Sequence, residues 1–281
     1  QRFSTTDLLT PSDEEPGLAG RMGQNALGDL TLRYHGEDSG LGASLSALLG
    51  PFADVRLGLT ASAWTSPRFD GPVELRSLGN PRSGAPPREE AELSELLGQL
   101  NYKLPERLEV EMPIPPSLQA GVSWQARPWL ELALDARLWL YTVFERQVLR
   151  PVYDPDQPGQ EPMSEDSLSH DKDYSNSWEI ALGLRLIPPQ LADRLELMLG
   201  LGWDQSPVPD ETFSIDNPSM NQFLFTAGLR SQLSDRLRLG AGYMLISYRP
   251  RDIRTSESSP PTNVRISGTS HIPTVEVEWQ F

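Results

Sequence analysis

Arg56, Glu131, Asp135, Arg137, Glu179, Arg185, Glu196, Arg230, Arg238 and Glu276 fall at alternate positions of segments whose other positions are mainly aliphatic or aromatic. Acids and guanidiniums of mixed sign on one face of neighbouring extended segments can do two things. They can pair with one another across strands, or one guanidinium, at Arg137, Arg185 or Arg238, can take a ligand carboxylate in a forked, two-bond geometry. The sequence leaves both open.

Residues suited to covalent or metal chemistry are sparse. The chain has no cysteine, and its three histidines, His35, His170 and His271, stand apart with no metal-ligand spacing. Asp154, Asp156, Glu165, Asp166, Asp171 and Asp173 gather in one stretch but lack the ordered spacing of an EF-hand, so a solvated acidic connection is expected there. No serine, histidine and aspartate constellation stands out. We therefore assign no catalytic residue, no metal site and no cofactor.

Capture of an apolar molecule is a different matter. Leu93, Leu96, Leu97 and Leu100 recur at helical spacing, and Tyr153 and Met163 interrupt a run of carboxylates between 150 and 173. Burying an acyl chain against such a strip gains roughly 0.8 kcal/mol per methylene. The same leucines could instead pin the connection to the rest of the fold. Further along, Asp204, Ser206, Pro207 and Pro209 close an alternating run; the prolines cannot donate to a ladder, so pairing must stop. A structural strand end is the simpler reading and ligand contact the other.

The elements that position these groups are strands. Leu130, Leu132, Leu134, Ala136, Leu138 and Leu140 alternate with Glu131, Ala133, Asp135, Arg137 and Trp139, a period of two that a helix would scatter around its circumference. The design recurs from Val55 to Ala63, Ile180 to Leu186 and Leu195 to Trp203, and again in Val275, Val277, Trp279 and Phe281. About ten strands are expected, near 28–35, 40–49, 53–64, 116–126, 129–149, 174–187, 193–204, 220–233, 236–249 and 264–281. Glycines at 58, 121, 183, 200, 202, 228, 240 and 242 share the charged parity. They could leave a passage or let larger neighbours pack.

Short links alternate with long ones, at about 65–115, 150–173, 205–219 and 250–263, as in outer-membrane barrels with short periplasmic turns and long extracellular loops. Residues 1–27 are expected to form an amino-terminal segment, either irregular or the remnant of an earlier strand and loop, and 28–281 the barrel. Only 38% of residues are hydrophobic, yet a barrel meets lipid with alternate residues alone, so that average does not exclude a membrane. A soluble antiparallel sandwich is the competing architecture. Its strands usually run to about five or six residues, whereas several here alternate for longer. The formal net charge of -15 disfavours nucleic acid as a partner.

Particular stretches add a resemblance. Val55 to Trp64 leading into Phe69-Asp70-Gly71, then Met112-Pro113-Ile114-Pro115-Pro116-Ser117-Leu118-Gln119-Ala120-Gly121, Ser177 to Gly183, and Trp203-Asp204-Gln205-Ser206-Pro207-Val208-Pro209 with the aromatic terminus, resemble the carboxyl-terminal two thirds of the FadL family. The resemblance implies an all-β transmembrane antiparallel barrel, part of one of about fourteen strands, in the outer membrane of a Gram-negative bacterium. It implies passive uptake of long-chain fatty acids or similar hydrophobic compounds, first held by the loop residues Leu93 to Leu100 with Tyr153 and Met163. Outer-membrane lipid, lipopolysaccharide and the barrel-assembly machinery are the implied partners. The family's amino-terminal plug with its Asn-Pro-Ala motif, and about four strands, have no counterpart in this sequence, so it is expected to be a piece of a longer protein, with a shorter relative closed by fewer strands as the alternative. A barrel enzyme acting on lipid or peptide and a structural or adhesive barrel are the alternatives.

Overall fold

The computed structural model describes residues 3–4, 29–79, 90–99, 101–161, 164–191, 194–214, 218–258 and 262–280. Nine strands form one antiparallel sheet, the wall, in the order β3 (Gly42–Phe52), β4 (Val55–Trp64), β7 (Ser117–Arg127), β8 (Leu130–Trp139), β12 (Ser177–Leu186), β13 (Leu195–Asp204), β14 (Gln222–Ser234), β15 (Leu237–Asp252) and β16 (Arg265–Trp279). Each wall strand pairs with its neighbours in chain order. The register lines the parities up, so Leu182, Leu201, Phe225 and Leu245 stand in one row and Ala181, Gly202, Leu224 and Ile246 in the row on the opposite face.

Where the apolar side chains go separates a membrane wall from a soluble sandwich. Leu182, Leu199 and Leu201, at the centre of the sheet, are 53%, 54% and 54% exposed, and Phe225 and Leu229 are exposed beside them. No second sheet covers them. Among the described residues the buried hydrophobic side chains, Leu108, Val110, Leu149, Leu168, Tyr174, Val208, Phe213 and Ile253, all lie outside the wall strands. Apolar strands exposed around a core built from their connections fit a sheet whose solvent is lipid. No described helix is long and apolar enough to cross a membrane.

The connections at one end are short. Ala53 and Asp54 turn β3 into β4 with φ of 48° and 70°, the two positive values that a tight two-residue hairpin requires. Residues 128–129, 187–194 and 235–236 make the other links at that end. At the opposite end the long connections fold into a cap. Its main sheet has the order β1 (Phe3–Ser4), β2 (Asp29–Tyr34), β5 (Arg68–Gly79), β6 (Arg107–Glu111) and β10 (Leu149–Val152), while β9 (Arg146–Gln147) pairs with β11 (His170–Asp171).

Two strand expectations change. The strand expected near 28–35 exists as β2, but it pairs with β5 in the cap, so among the described residues nine strands and not ten build the wall. The run expected at 129–149 leaves the wall at Trp139, passes through a 3-10 turn at Tyr141–Val143 and supplies β9 to the cap. The expected loop of 65–115 likewise contains β5, β6 and a helix, Glu90–Gln99. Of the segment 1–27, only Phe3–Ser4 lies within the described residues.

With nine wall strands, the outer two, β3 and β16, both run toward the short turns. A direct seam between them would be parallel; closure by antiparallel pairs takes an odd number of further strands between these edges.

Replacing Leu201 with arginine is expected to destabilise the membrane-inserted protein by about 2–4 kcal/mol, and Ala181→Ser on the opposite face by well under half of that. Denaturant titration of refolding into bilayers measures both. Equal effects would mean that the two faces are wrongly assigned.

Candidate functional site

The face opposite the exposed leucines carries the charges, and they organise into two bands. Toward the short turns, Arg185 donates to Glu131 at 3.3 Å and to Glu196 at 2.8 Å, and Arg230 lies 3.1 Å from Glu276 and 4.0 Å from Glu196. That chain crosses β8, β12, β13, β14 and β16. It skips β15 because Gly240 stands between Arg230 and Glu276, and a Cβ there would lie 3.0 Å from the Glu276 carboxylate. Beneath it, Arg238 meets Glu278 at 2.9 Å and Gln232 at 2.8 Å.

The second band lies toward the cap. Arg137 donates to Glu179 at 3.2 Å and to Gln119 at 2.9 Å, Gln119 donates to Asp135 at 2.8 Å, and the Arg137 guanidinium lies 5.3 Å from the Trp139 ring centroid. Asp204 accepts from Gln222 one strand pair further on. All three arginines singled out for a ligand carboxylate, Arg137, Arg185 and Arg238, are thus engaged by glutamates of the wall.

Between the bands the face is mostly small and apolar, with Asp135 and Arg56 as the charged exceptions. On β12 the sequence Glu179, Ala181, Gly183, Arg185 reads from one band to the other, and the two middle positions continue along the hydrogen-bond direction. One row runs from Gly58 and Gly121 through Asp135 and Ala181 to Gly202, Leu224 and Ile246. The next runs from Arg56 and Ser123 through Ala133, Gly183, Gly200 and Thr226 to Met244 and Ile272. A Cβ on Gly121 would lie 2.7 Å from the Asp135 carboxylate, so this glycine accommodates a neighbour, whereas at Gly58 nothing lies within 4 Å. Arg56, exposed at one end of the second row, makes no ion pair among the described residues.

The cap holds the other candidate residues. The helix expected around Leu93 to Leu100 is present as Glu90–Gln99, between β5 and β6. Glu92, in its first turn, suits the positive end of the helix dipole, and Asn101, at φ 63°, ends it by donating its N–H to the Gly98 carbonyl at 2.9 Å. The side chains of Leu93, Leu96 and Leu97, and the whole of Leu100 and Met163, lie outside the described residues. Tyr153 is half-buried, with the Lys103 ammonium 5.6 Å from its ring centroid; that ammonium donates to the Asp154 carbonyl at 3.1 Å and pairs with Glu161 at 3.2 Å. Arg150 lies between Glu165 and Glu109, whose hydrogen bonds, that of Glu165 foremost, hold its pKa above the ordinary guanidinium value.

The strand-end motif is fixed by contacts within the protein. The Ser206 N–H donates to Asn221 at 2.8 Å, the Ser206 hydroxyl to Ser219 at 2.9 Å, and the Ser175 N–H to the Pro207 carbonyl at 2.9 Å. Arg251 completes it: the guanidinium donates to the Val208 carbonyl at 2.7 Å, to the Ser219 carbonyl at 2.9 Å and to Asp210, and lies 5.2 Å from the Phe213 ring centroid. Below it Tyr174, Val208, Phe213 and Ile253 form a buried cluster against Tyr141 and Phe144. Burial raises the Tyr141 phenol pKa above its ordinary value, reinforced by the carboxylates of Asp204 and Glu179. Sequence reading missed Arg251, Phe213 and Ile253. The one available cue was the proline at 250, which breaks the alternation just before Arg251.

The comparisons agree with this layout. The family described as outer membrane protein transport protein (OMPP1/FadL/TodX) matches residues 5–281. Among solved structures, a Pseudomonas aeruginosa FadL homologue superposes with a TM-score of 0.60 at 16% identity, covering 84% of this chain and 50% of that one. The Pseudomonas putida toluene transporter TodX gives 0.54 at 12% identity, over 92% of this chain and 55% of its own. The Ralstonia pickettii toluene transporter TbuX gives 0.51 at 13%, over 92% and 52%. At these identities the likeness is one of fold, and the chain spans about half the length of the structures it matches. No curated protein matches it.

Two substitutions separate the cap from the wall. Arg251→Ala, which removes charged hydrogen bonds worth about 1.5–3 kcal/mol each, is expected to make residues 205–221 protease-sensitive while the wall strands stay protected. Gly240→Leu is expected to part Arg230 from Glu276 and weaken the wall instead. Mass-mapped limited proteolysis distinguishes them, and identical cleavage patterns would contradict the assignment.

Proposed function

From the premise that the chain belongs to the outer membrane protein transport family (OMPP1/FadL/TodX), we propose that its wall and cap admit a hydrophobic compound by passive diffusion, with long-chain fatty acids as the substrate class. The observation that carries this reading is the lumen face. A polar pore would carry charge along its length, whereas here rows made mostly of small and apolar side chains, with Asp135 and Arg56 as their charged members, lie between two bands whose arginines are each paired with a glutamate. An apolar molecule placed against Ala133, Gly183, Met244 and Ile272 loses no hydrogen bond to the wall and displaces water from apolar surface.

Arg56 gives the proposal its preference for an acid. It lies in the same row as those residues and is without an ion pair among the described residues, whereas a ligand carboxylate at Arg137, Arg185 or Arg238 would have to displace a glutamate. The relatives TodX and TbuX are toluene transporters, so a neutral hydrocarbon is the natural comparison. Capture outside would fall to the cap helix with Leu93, Leu96, Leu97 and Leu100, and to Tyr153 and Met163, with Asp204, Ser206, Pro207 and Pro209 as the hinge between cap and wall.

The test is uptake of labelled oleate and labelled toluene by cells that lack transporters of this family and express the protein. Gly183→Leu is expected to lower uptake of both about tenfold by narrowing the lumen, and Arg56→Gln to lower oleate uptake several-fold while leaving toluene unchanged. Wild-type uptake of both compounds by Gly183→Leu would sink the passage reading. Equal loss of both in Arg56→Gln would sink the carboxylate role.

A further inference from the structure

The outward face of the wall changes character between β14 and β15 at the end nearer the cap. One row along the hydrogen-bond direction reads Ile180, Trp203, Phe223, then Ser247 and Thr269; the next reads Leu182, Leu201, Phe225, Leu245, then His271. The apolar band that reaches the aromatic residues of β13 and β14 therefore stops lower on β16. Below Thr269, His271 shares a hydrogen bond with the Tyr243 hydroxyl, and both side chains have lipid-facing parity.

Two arginines lie above this polar step. The β15–β16 register passes from Tyr248 opposite Gly268 to Arg251 opposite Ile266, so Arg249 and Pro250 together face one residue, Ser267. That bulge decides where the arginines point. Tyr248 faces the lumen, where its hydroxyl accepts from Ser270 at 3.3 Å, and Arg251 turns inward to the strand-end motif; Arg249, between them, is exposed on the outer side. Without the extra residue Arg249 and Arg251 would share a face. Arg265 is exposed opposite Asp252, whose carboxylate is already held by Arg254 at 2.6 Å. Among the described residues neither Arg249 nor Arg265 makes an ion pair, whereas Arg68, Arg107, Arg146 and Arg150 of the cap each meet a carboxylate.

Exposed guanidiniums immediately above a lipid-facing band, with hydroxyl and imidazole donors below them, complement a phosphate at head-group depth. We infer that the outward rim of β15 and β16 binds the phosphorylated head group of an outer-leaflet glycolipid of the lipid A class. Arg249 and Arg265 take the phosphate, Ser267 and Thr269 donate to its sugar, and the acyl chains lie on Leu245, Val275 and Val277. The inference rests on the outer-membrane location of the family and not on passage of a ligand through the lumen.

Native mass spectrometry of the whole protein in detergent, titrated with bisphosphorylated lipid A, tests it. Arg249→Gln/Arg265→Gln is expected to weaken binding about tenfold, lysines at both positions to restore most of it, and lipid A stripped of phosphate to bind the wild type about as weakly as the glutamine variant binds the intact lipid. Undiminished binding by the glutamine variant, or equal binding of the phosphate-free lipid, would overturn the inference. So would displacement of the lipid by inorganic phosphate at equal concentration, which would mark a site for a free anion. Should the glutamine variant not fold, the two lipids on the wild type still decide. Oleate uptake is expected to be unchanged in a folded variant, which keeps this result independent of the transport test.

Discussion

Inside a bilayer no water is available to satisfy a backbone N–H or C=O, so every such group in a crossing segment must find a partner in the protein. The ladders from β3 to β16 meet that demand for seven of the wall strands on both edges and, among the described residues, for β3 and β16 on one edge each. Much else follows from the pleat this imposes. Once successive side chains must point to opposite faces, one face can be given to lipid and the other to the lumen with no change of secondary structure. Leu199 and Leu201 lie outside and Gly200 and Gly202 inside, although they are chain neighbours.

The same constraint explains why charge is tolerated and how it is arranged. A carboxylate or guanidinium inside a narrow wall is costly alone and acceptable when paired. The register places Glu131 beside Arg185 and Glu196 beside Arg230, so that pairs form between adjacent strands without long side-chain excursions. A glycine at 240 allows one pair to form across an intervening strand. The wall is tied by these bands, and the stretch between them is left mostly to small and apolar side chains. At the cap the logic is that of a soluble protein: Phe213, Ile253, Val208 and Tyr174 are buried together, and Arg251 gathers the carbonyls of residues 208 and 219.

The wall was legible because its rule is local. A period of two over ten residues identifies a strand such as Leu195–Asp204 and assigns each side chain to a face from the sequence alone. The ion pairs followed as a possibility from shared parity, but their partners needed the register. The cap was less legible for a physical reason: its sheet pairs Phe69 with Val110 and Leu149 with Val110, residues brought together from separate long connections, and its strands do not alternate cleanly. The strand at Asp29–Tyr34 shows the limit. Its pattern fits a wall stave as well as a cap strand, and only its pairing with β5 decides. Arg249 and Arg251 make the same point, since strict alternation would give them one face and a bulge turns Arg251 to the other.

The central claim is that one sheet presents lipid on one face and a lumen on the other, residue by residue. Because the chain has no cysteine, single cysteines can be introduced at each position from 197 to 202 of β13 and labelled with a nitroxide in the bilayer-reconstituted protein. Collision with oxygen, which concentrates in lipid, is expected to peak at 197, 199 and 201, and collision with a water-soluble nickel chelate at 198, 200 and 202. Accessibility that is uniform along the strand, or that peaks at the opposite parity, would contradict the account.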